Sequence, residues 1–410
     1  ASASIYGSSA ANGVVLITTK RGKLDKPQVE FNVYSGVQRI TQMQPVLSAR
    51  QSRELMTAKW IYGWGGLTPL INGVVANTYR PEAVDSLNPG MGLTANADHQ
   101  DAVFRIAPIT KADFSVRGAD EKFVYSLSGE YYKQEGIVIN SGFRRLTTRI
   151  NAEYKANKWL NMGTNFSYSN TESNRTQEDA ENGGTWTYFV NTPSYTAMYD
   201  PVTGLPAQQF PINALNEQKL KGYANRVFGN IYAEVKILKE LKFRSNLAID
   251  VSDIYETEFY PLTTLSPAGA ASPRYSASGA TFRNRIVNEN YFTYTKTFAE
   301  DHNFTLMLGQ SIQKELMRDN YLVGTNGSTD KLTTANASSV LRSISSTETS
   351  SALLSYYTRL NYAFKSKYLL AASFRSDGSS KFGKDNRFAN FPSVSAGWVV
   401  DVVSFLREVG

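Results

Sequence analysis

The sequence predicts an all-β fold, a transmembrane antiparallel β-barrel, on three observations. Apolar and polar residues alternate along most of the chain. The alternating runs are long, often 13 to 16 residues, against about 5–6 for an ordinary strand. Tight links such as "ADEK", "ANKW", "LKEL", "AEDH" and "KSKY" take turns with mostly longer ones. In an antiparallel meander that parity collects the short turns at one end and the long loops at the other, as in an outer-membrane barrel.

The alternation is explicit in several segments. Leu146, Thr148, Ile150, Ala152 and Tyr154 oppose Arg145, Arg149, Asn151, Glu153 and Lys155. Val227, Ile231, Ala233 and Val235 oppose Asn230, Tyr232, Glu234 and Lys236. Leu354, Tyr356, Leu360, Tyr362 and Phe364 oppose Arg359, Asn361 and Lys365. A period of two places each set on one face of a sheet. About twelve strands are expected, near residues 27–40, 110–119, 123–138, 143–157, 160–173, 225–238, 241–259, 288–299, 302–322, 351–366, 367–376 and 391–400. The long links are expected at 41–109, 174–224, 260–287 and 323–350. One helix is expected from Ser48, in "SARQSRELMTAKWIY", with Ser48 and Gln51 as a capping box.

Composition narrows the function classes. The 410 residues include no Cys and two His, so disulfides and thiolate metal sites are excluded. A mean hydropathy of −0.34 and the lack of a long apolar run exclude a membrane-spanning helix, whereas a spanning barrel leaves only alternation. The net charge of +7 is spread among 36 acidic residues, which argues against a nucleic-acid face. "YGSSAANG" lacks the Gly-Lys-Ser/Thr ending of a phosphate loop. Followed by "VVLITT", it reads as an Asn-Gly turn into a strand. "DGSSKFGKDNR", with Asp377, Asp385 and Asn386, lacks the ligand spacing of a calcium loop and reads as a polar turn. No acid–base or metal constellation assembles, so an enzyme, a bound metal and a cofactor are not expected. Arg145, Arg149, Glu153, Arg359 and Lys365 are placed in the lumen, because charges facing lipid cost about 2–4 kcal/mol at mid-membrane.

Blocks along the chain, among them "YGSSAANGVVLITTKRGK", "KWLNMGTNFSYSNTESN" and "LKELKFRSNLAIDVS", resemble the SusC/RagA-type TonB-dependent transporters. "ASASIYGSSAANGVVLITTKRGK" is similar to the end of the family's plug domain. "DHQDAVFRIAPITKADFSVRGADEKFVYSLSGEYYKQEGIV", "KWLNMGTNFSYSNTESN", "LKELKFRSNLAIDVS" and "SALLSYYTRLNYAFKSKYLLAASFRSDGSSKFGKDNRFANFPSVSAGW" resemble barrel stretches in family order. His99 stands where the family often has Trp, and Ser9 where it often has Arg. The resemblance implies a plug inside a barrel of about 22 strands, of which about twelve are expected here. Residues 1–23 would end the plug, with Tyr6, Gly7, Asn12, Gly13 and Arg21 as its turn and linker residues. Residues 24–27 would be a periplasmic linker and 28–410 the first part of the barrel.

It further implies import across the outer membrane of an oligosaccharide or peptide. The partners would be a SusD-like lipoprotein lid, TonB acting through an upstream segment, and outer-membrane lipid. Aromatic faces suit sugar rings, so Trp60, Trp64, Trp186, Tyr188, Phe189, Tyr195 and Tyr199 are the candidate substrate or lid contacts. Packing of the loops' own cores is the competing role for them. A surface adhesin or secretion-associated assembly protein reusing the barrel remains the alternative.

Overall fold

A computed structural model describes residues 7, 13, 25–52, 70–71, 74–75, 97–176, 194, 198–199, 211–262 and 274–400. Twelve strands form one antiparallel sheet in which each strand pairs with its sequence neighbours. They are β1 (Asp25–Gln38), β2 (Ala107–Ala119), β3 (Phe123–Glu135), β4 (Gly142–Lys155), β5 (Leu160–Arg175) and β6 (Lys219–Lys236). Then come β7 (Leu241–Tyr260), β8 (Tyr275–Phe298), β9 (His302–Gly327), β10 (Ser338–Phe364), β11 (Tyr368–Ser379) and β12 (Phe388–Trp398). A two-residue ladder joins Leu70–Ile71 to Val74–Val75, and a short helix α1 covers Pro211–Glu217.

The alternation sets the two faces. Ile150 pairs with Phe166, Phe166 with Gly229, and Gly229 with Ile249, so these share the outward face. Leu146, Ile150, Tyr154, Met162, Ile231 and Leu247 are all exposed there. Each of five adjacent strands carries an outward band of the same length: Phe123–Tyr131, Leu146–Tyr154, Leu160–Tyr168, Val227–Val235 and Phe243–Val251. The next outward residues are polar or charged, namely Lys133, Arg144, Asn170, Asn225 and Asp253. The band matches the about 9–11 tilted residues that cross a hydrocarbon core. Tyr168 Oη and Asn170 Nδ2 both donate to Asn225 Oδ1 at 2.9 Å along its upper border. At the short-turn end aromatic rings of neighbouring strands stack: Phe364 on Tyr368 at 6.2 Å and Tyr368 on Trp398 at 6.5 Å. No helix among the described residues is long and apolar enough to cross a membrane.

Two expected loops are strand over half their length or more. β8 starts at Tyr275 and β10 at Ser338, so the expected links 260–287 and 323–350 narrow to 261–274 and 328–337. The pairing of β9 with β10 runs on through "SISSTETSS". Above the membrane both faces of a strand are wet, so the period-two signal disappears while the ladder continues. β9 has 26 residues, roughly 85 Å at about 3.3 Å per residue, far more than a bilayer needs. β1 pairs from Asp25, with an irregularity before Gln28 that spans Pro27, a residue without a ladder N–H.

The expected helix begins where anticipated. Ser48 Oγ accepts from Gln51 N at 3.3 Å, and Gln51 Oε1 accepts from Ser48 N at 3.0 Å. Helical residues follow through Ser52, and the rest of that segment lies outside the described residues.

Candidate functional site: the lumenal wall and the loop end

The inward face is polar along its length. Glu130 is held by Arg145 at 2.7 Å and Lys111 at 3.2 Å. Arg226 donates from Nε and Nη2 to the two oxygens of Asp250, each at 2.8 Å. Glu315 takes Arg285 at 3.1 Å and Arg283 at 3.6 Å. Asn165 Nδ2 donates to Asn230 Oδ1 at 3.1 Å, and Asn230 Nδ2 to Asn246 Oδ1 at 2.5 Å. Asn246 Nδ2 then donates to Glu289 at 3.4 Å, so one chain of side chains crosses four strands. Beside it Arg244 lies 3.7 Å over the Tyr232 ring, and Tyr232 Oη reaches Glu153 Oε2 at 3.2 Å.

The deepest ion pair of the wall lies on β11. Arg375 Nε donates to Asp377 at 2.6 Å, with Asp377 only 3% exposed. Arg375 also donates to Ser355 Oγ at 2.9 Å and lies over the Tyr357 ring. Gly7 is buried against this pair in the left-handed region, at φ +57°. A Cβ added there would collide with the Asp377 carboxylate and the Arg375 side chain. Alternation already puts Arg375 and Asp377 on one face; the turn-like look of "DGSS" concealed that Asp377 belongs to a strand.

At the other end the long connections are tied together. Gln44 N donates to Gln100 Oε1 at 3.0 Å, and Gln100 Nε2 to Gln44 O at 2.7 Å. Ser194 Oγ donates to Leu47 O at 2.6 Å, while Ala97 N donates to Ser194 O at 2.8 Å. Asn140 Nδ2 reaches Leu215 O at 3.1 Å at the end of α1. A cavity of about 180 Å³ opens beside α1, lined by residues that include Asn140, Asn174, Arg175, Gln218 and Lys221. Above the membrane band, Leu220, Tyr260, Tyr275, Ala277 and Val323 form a buried cluster. Burial pushes the Tyr260 and Tyr275 hydroxyls well above the ordinary tyrosine range.

Among the residues singled out from the sequence, Arg145, Arg149 and Glu153 share the inward face of β4. Arg359 is inward on β10, with Nε donating to Asn361 Oδ1 at 3.3 Å. Lys365 is not on the wall: it lies in the β10–β11 turn at φ +52°, 3.7 Å from Asp301. That turn must adopt the left-handed region at Lys365 and Ser366 to reverse the chain. Gly13 has φ +96° and open space around it, and Tyr199 is half-exposed. Trp60, Trp64, Trp186, Tyr188, Phe189, Tyr195, Tyr6, Asn12 and Arg21 lie outside the described residues. Among the described residues no acidic or His cluster fit for a metal ion occurs. Asp385 is in an exposed turn, apart from inward-facing Asp377.

No protein-family model matches the chain. It is 30% identical over 417 residues to TonB-dependent receptor P39 of Formosa agariphila, covering 100% of this chain and 38% of that protein. It is 28% identical over 434 residues to TonB-dependent receptor SusC of Bacteroides thetaiotaomicron, covering 99% of this chain and 40% of that protein. The chain therefore spans about two fifths of the length of these relatives. In fold it superposes on the RagAB peptide transporter with TM-score 0.76 at 21% identity, over 94% of this chain and 46% of that one. The closed-closed state of the RagAB peptide importer gives TM-score 0.77 at 22% identity. This outer-membrane β-barrel chain is thus similar in sequence to TonB-dependent receptors, SusC among them, and similar in fold to the RagAB transporter.

Proposed function

We propose that the chain supplies barrel wall and the end of a plug to an importer energised through TonB. Its cargo would be an oligosaccharide or a peptide, admitted under a SusD-like lipoprotein lid. The observation that carries this reading is Gly7 packed on the lumenal pair Arg375–Asp377. A residue of the N-terminal segment against the inward face supports a plugged lumen over an open pore. The TonB-dependent receptors similar in sequence support the TonB dependence, and the likeness to the RagAB peptide transporter supports a peptide cargo. Residues 1–23 act as the end of the plug, and the linker expected at 24–27 gives way to the wall at Asp25, where β1 begins. The tied loops and the polar cavity beside α1 suit a mouth that closes over a hydroxyl- or amide-rich cargo.

The test is uptake by cells expressing the full-length protein with its neighbouring lipoprotein, across pools of glycans and peptides. Uptake of one class that stops when TonB is deleted supports the proposal. Uptake that persists without TonB, or adhesion with no uptake, overturns it.

A further inference from the structure

The outward face is not uniformly bulky. Ala152 pairs with Thr164 across β4 and β5, and Ala233 pairs with Ser245 across β6 and β7. These small side chains floor an open groove of about 490 Å³, walled by residues that include Tyr154 and Leu247. It lies at the short-turn end of the apolar band. The hairpin beneath β4 and β5 reads Lys155-Ala-Asn-Lys158-Trp159, and that beneath β6 and β7 reads Lys236-Ile-Leu-Lys239-Glu240, so the two tips carry four lysines against one carboxylate. Lys155, Lys158, Lys236 and Lys239 are exposed, and none makes an ion pair among the described residues. The hairpins are joined, because Lys236 N donates to Trp159 O at 2.7 Å. Trp159, Ile237 and Leu238 are also at least half exposed, carrying apolar surface down to the lysines. The neighbouring β8–β9 turn carries Glu300 and Asp301, and Asp301 neutralises Lys365.

We propose that this groove and its two lysine-bearing hairpins seat an anionic phospholipid, acyl chains on the small-residue floor and phosphate at the hairpin tips. The band faces hydrocarbon, so an acyl chain fills the groove where no side chain does. Lys158 and Lys239 stand in the turns, at the level of the headgroups. Lys155 and Lys236 leave their strands on the lumenal side of the rim and reach the phosphate along their flexible stems. Trp159 has the amphipathic ring that such an interface favours. The charge of the rim selects an anionic headgroup over a zwitterionic one.

The test is a lipid titration of the full-length transporter in mild detergent, followed by native mass spectrometry with phosphatidylglycerol and phosphatidylcholine. Phosphatidylglycerol is expected to bind more tightly. Lys158→Gln with Lys239→Gln should weaken it by about fivefold per lysine at low salt, leaving phosphatidylcholine unchanged. Ala233→Phe should weaken both lipids, and Lys365→Gln neither. Heat-modifiable gel mobility confirms that each variant forms its barrel. Equal affinity for the two lipids in the parent, or an unchanged Lys158→Gln/Lys239→Gln variant, overturns the proposal. Cargo uptake is a separate readout, so a failed import reading leaves the lipid result intact.

Discussion

Gly7 rests on the carboxylate of Asp377, and no side chain fits between them. The two lie near opposite ends of the chain, and the contact joins the N-terminal segment to strand β11. Its geometry needs both a left-handed backbone and the lack of a Cβ, which only glycine supplies. Gly7→Val is expected to cost about 1–2 kcal/mol from the backbone alone, with displacement of the turn added. The change should appear as faster hydrogen exchange around Gly7 in the full-length protein, with the barrel's own melting unaltered. Exchange equal to the parent's would show that the contact does not hold the turn.

The wall side of the same contact is a separate prediction. Asp377 is 3% exposed and pairs with Arg375 at 2.6 Å. Removing one partner of a buried pair leaves an uncompensated charge and costs about 3–5 kcal/mol. Asp377→Ala should therefore destabilise the sheet near β11 more than Arg375→Met combined with Asp377→Ala, which removes both charges. A double-mutant cycle on urea unfolding in bilayers reads the difference. Additive effects would mean that the pair contributes nothing jointly.

The outward band sets a depth dependence. Ile150 is central in the β4 stretch Leu146–Tyr154, while Leu146 borders Arg144. Ile150→Arg is expected to cost about 2–4 kcal/mol and Leu146→Arg about 0–1 kcal/mol. Unfolding free energies in vesicles measure both. Equal penalties would place the hydrocarbon boundary elsewhere.

The legibility of the sequence follows the same boundary. Within the band one face meets hydrocarbon and the other a polar lumen, so "RRLTTRINAEY" shows its strand and its faces directly. Beyond it, "SISSTETSS" is polar on both sides and reads as a loop, though its ladder with β9 is unbroken. The tight turns were legible because each must reverse the chain in a few residues. Asp377 was not, because Gly378 and two serines follow it, the composition of a turn. Its role comes from Gly7, distant in sequence and carrying no pattern that names its partner. The Asn165–Asn230–Asn246 track was hidden for a related reason: each Asn looks like any inward polar residue until the register aligns them.

Opposite ends of the sheet should respond to opposite ends of the pH scale. Tyr260 and Tyr275 are held neutral by burial, their hydroxyls raised above the ordinary value of 10.0. The unfolded chain then loses these protons first, so their stability contribution is present below about pH 10 and is lost as pH rises toward the raised values. Asp120, in the β2–β3 turn, accepts from Lys122 N at 2.8 Å and Phe123 N at 2.7 Å, which lowers its carboxyl below the usual range. Its contribution is kept above the usual value and lost as pH falls through the lowered one. An absorbance titration of phenolate should show late-titrating tyrosines, and the late amplitude should fall by two residues in Tyr260→Phe/Tyr275→Phe. Ordinary titration of every tyrosine would contradict the burial of this cluster.

Gln100 is 3% exposed and makes reciprocal bonds with the backbone of Gln44, so its one amide side chain ties residues near 44 to residues near 100. Gln100→Leu keeps the bulk but leaves the Gln44 N–H and C=O without those partners, at about 1–3 kcal/mol for each group that water does not reach. The cost falls on the loop, because β1 and β2 are held by their own ladder from Gln28 to Gln38. Limited proteolysis of the full-length protein should therefore cut the variant near residues 41–47 faster than the parent, with the barrel's heat-modifiable mobility unchanged. If the loop's closure also serves uptake, cargo affinity should weaken in parallel with the cleavage rate. Cleavage at the parental rate would show that Ser194 and its bond to Leu47 hold the segment without Gln100.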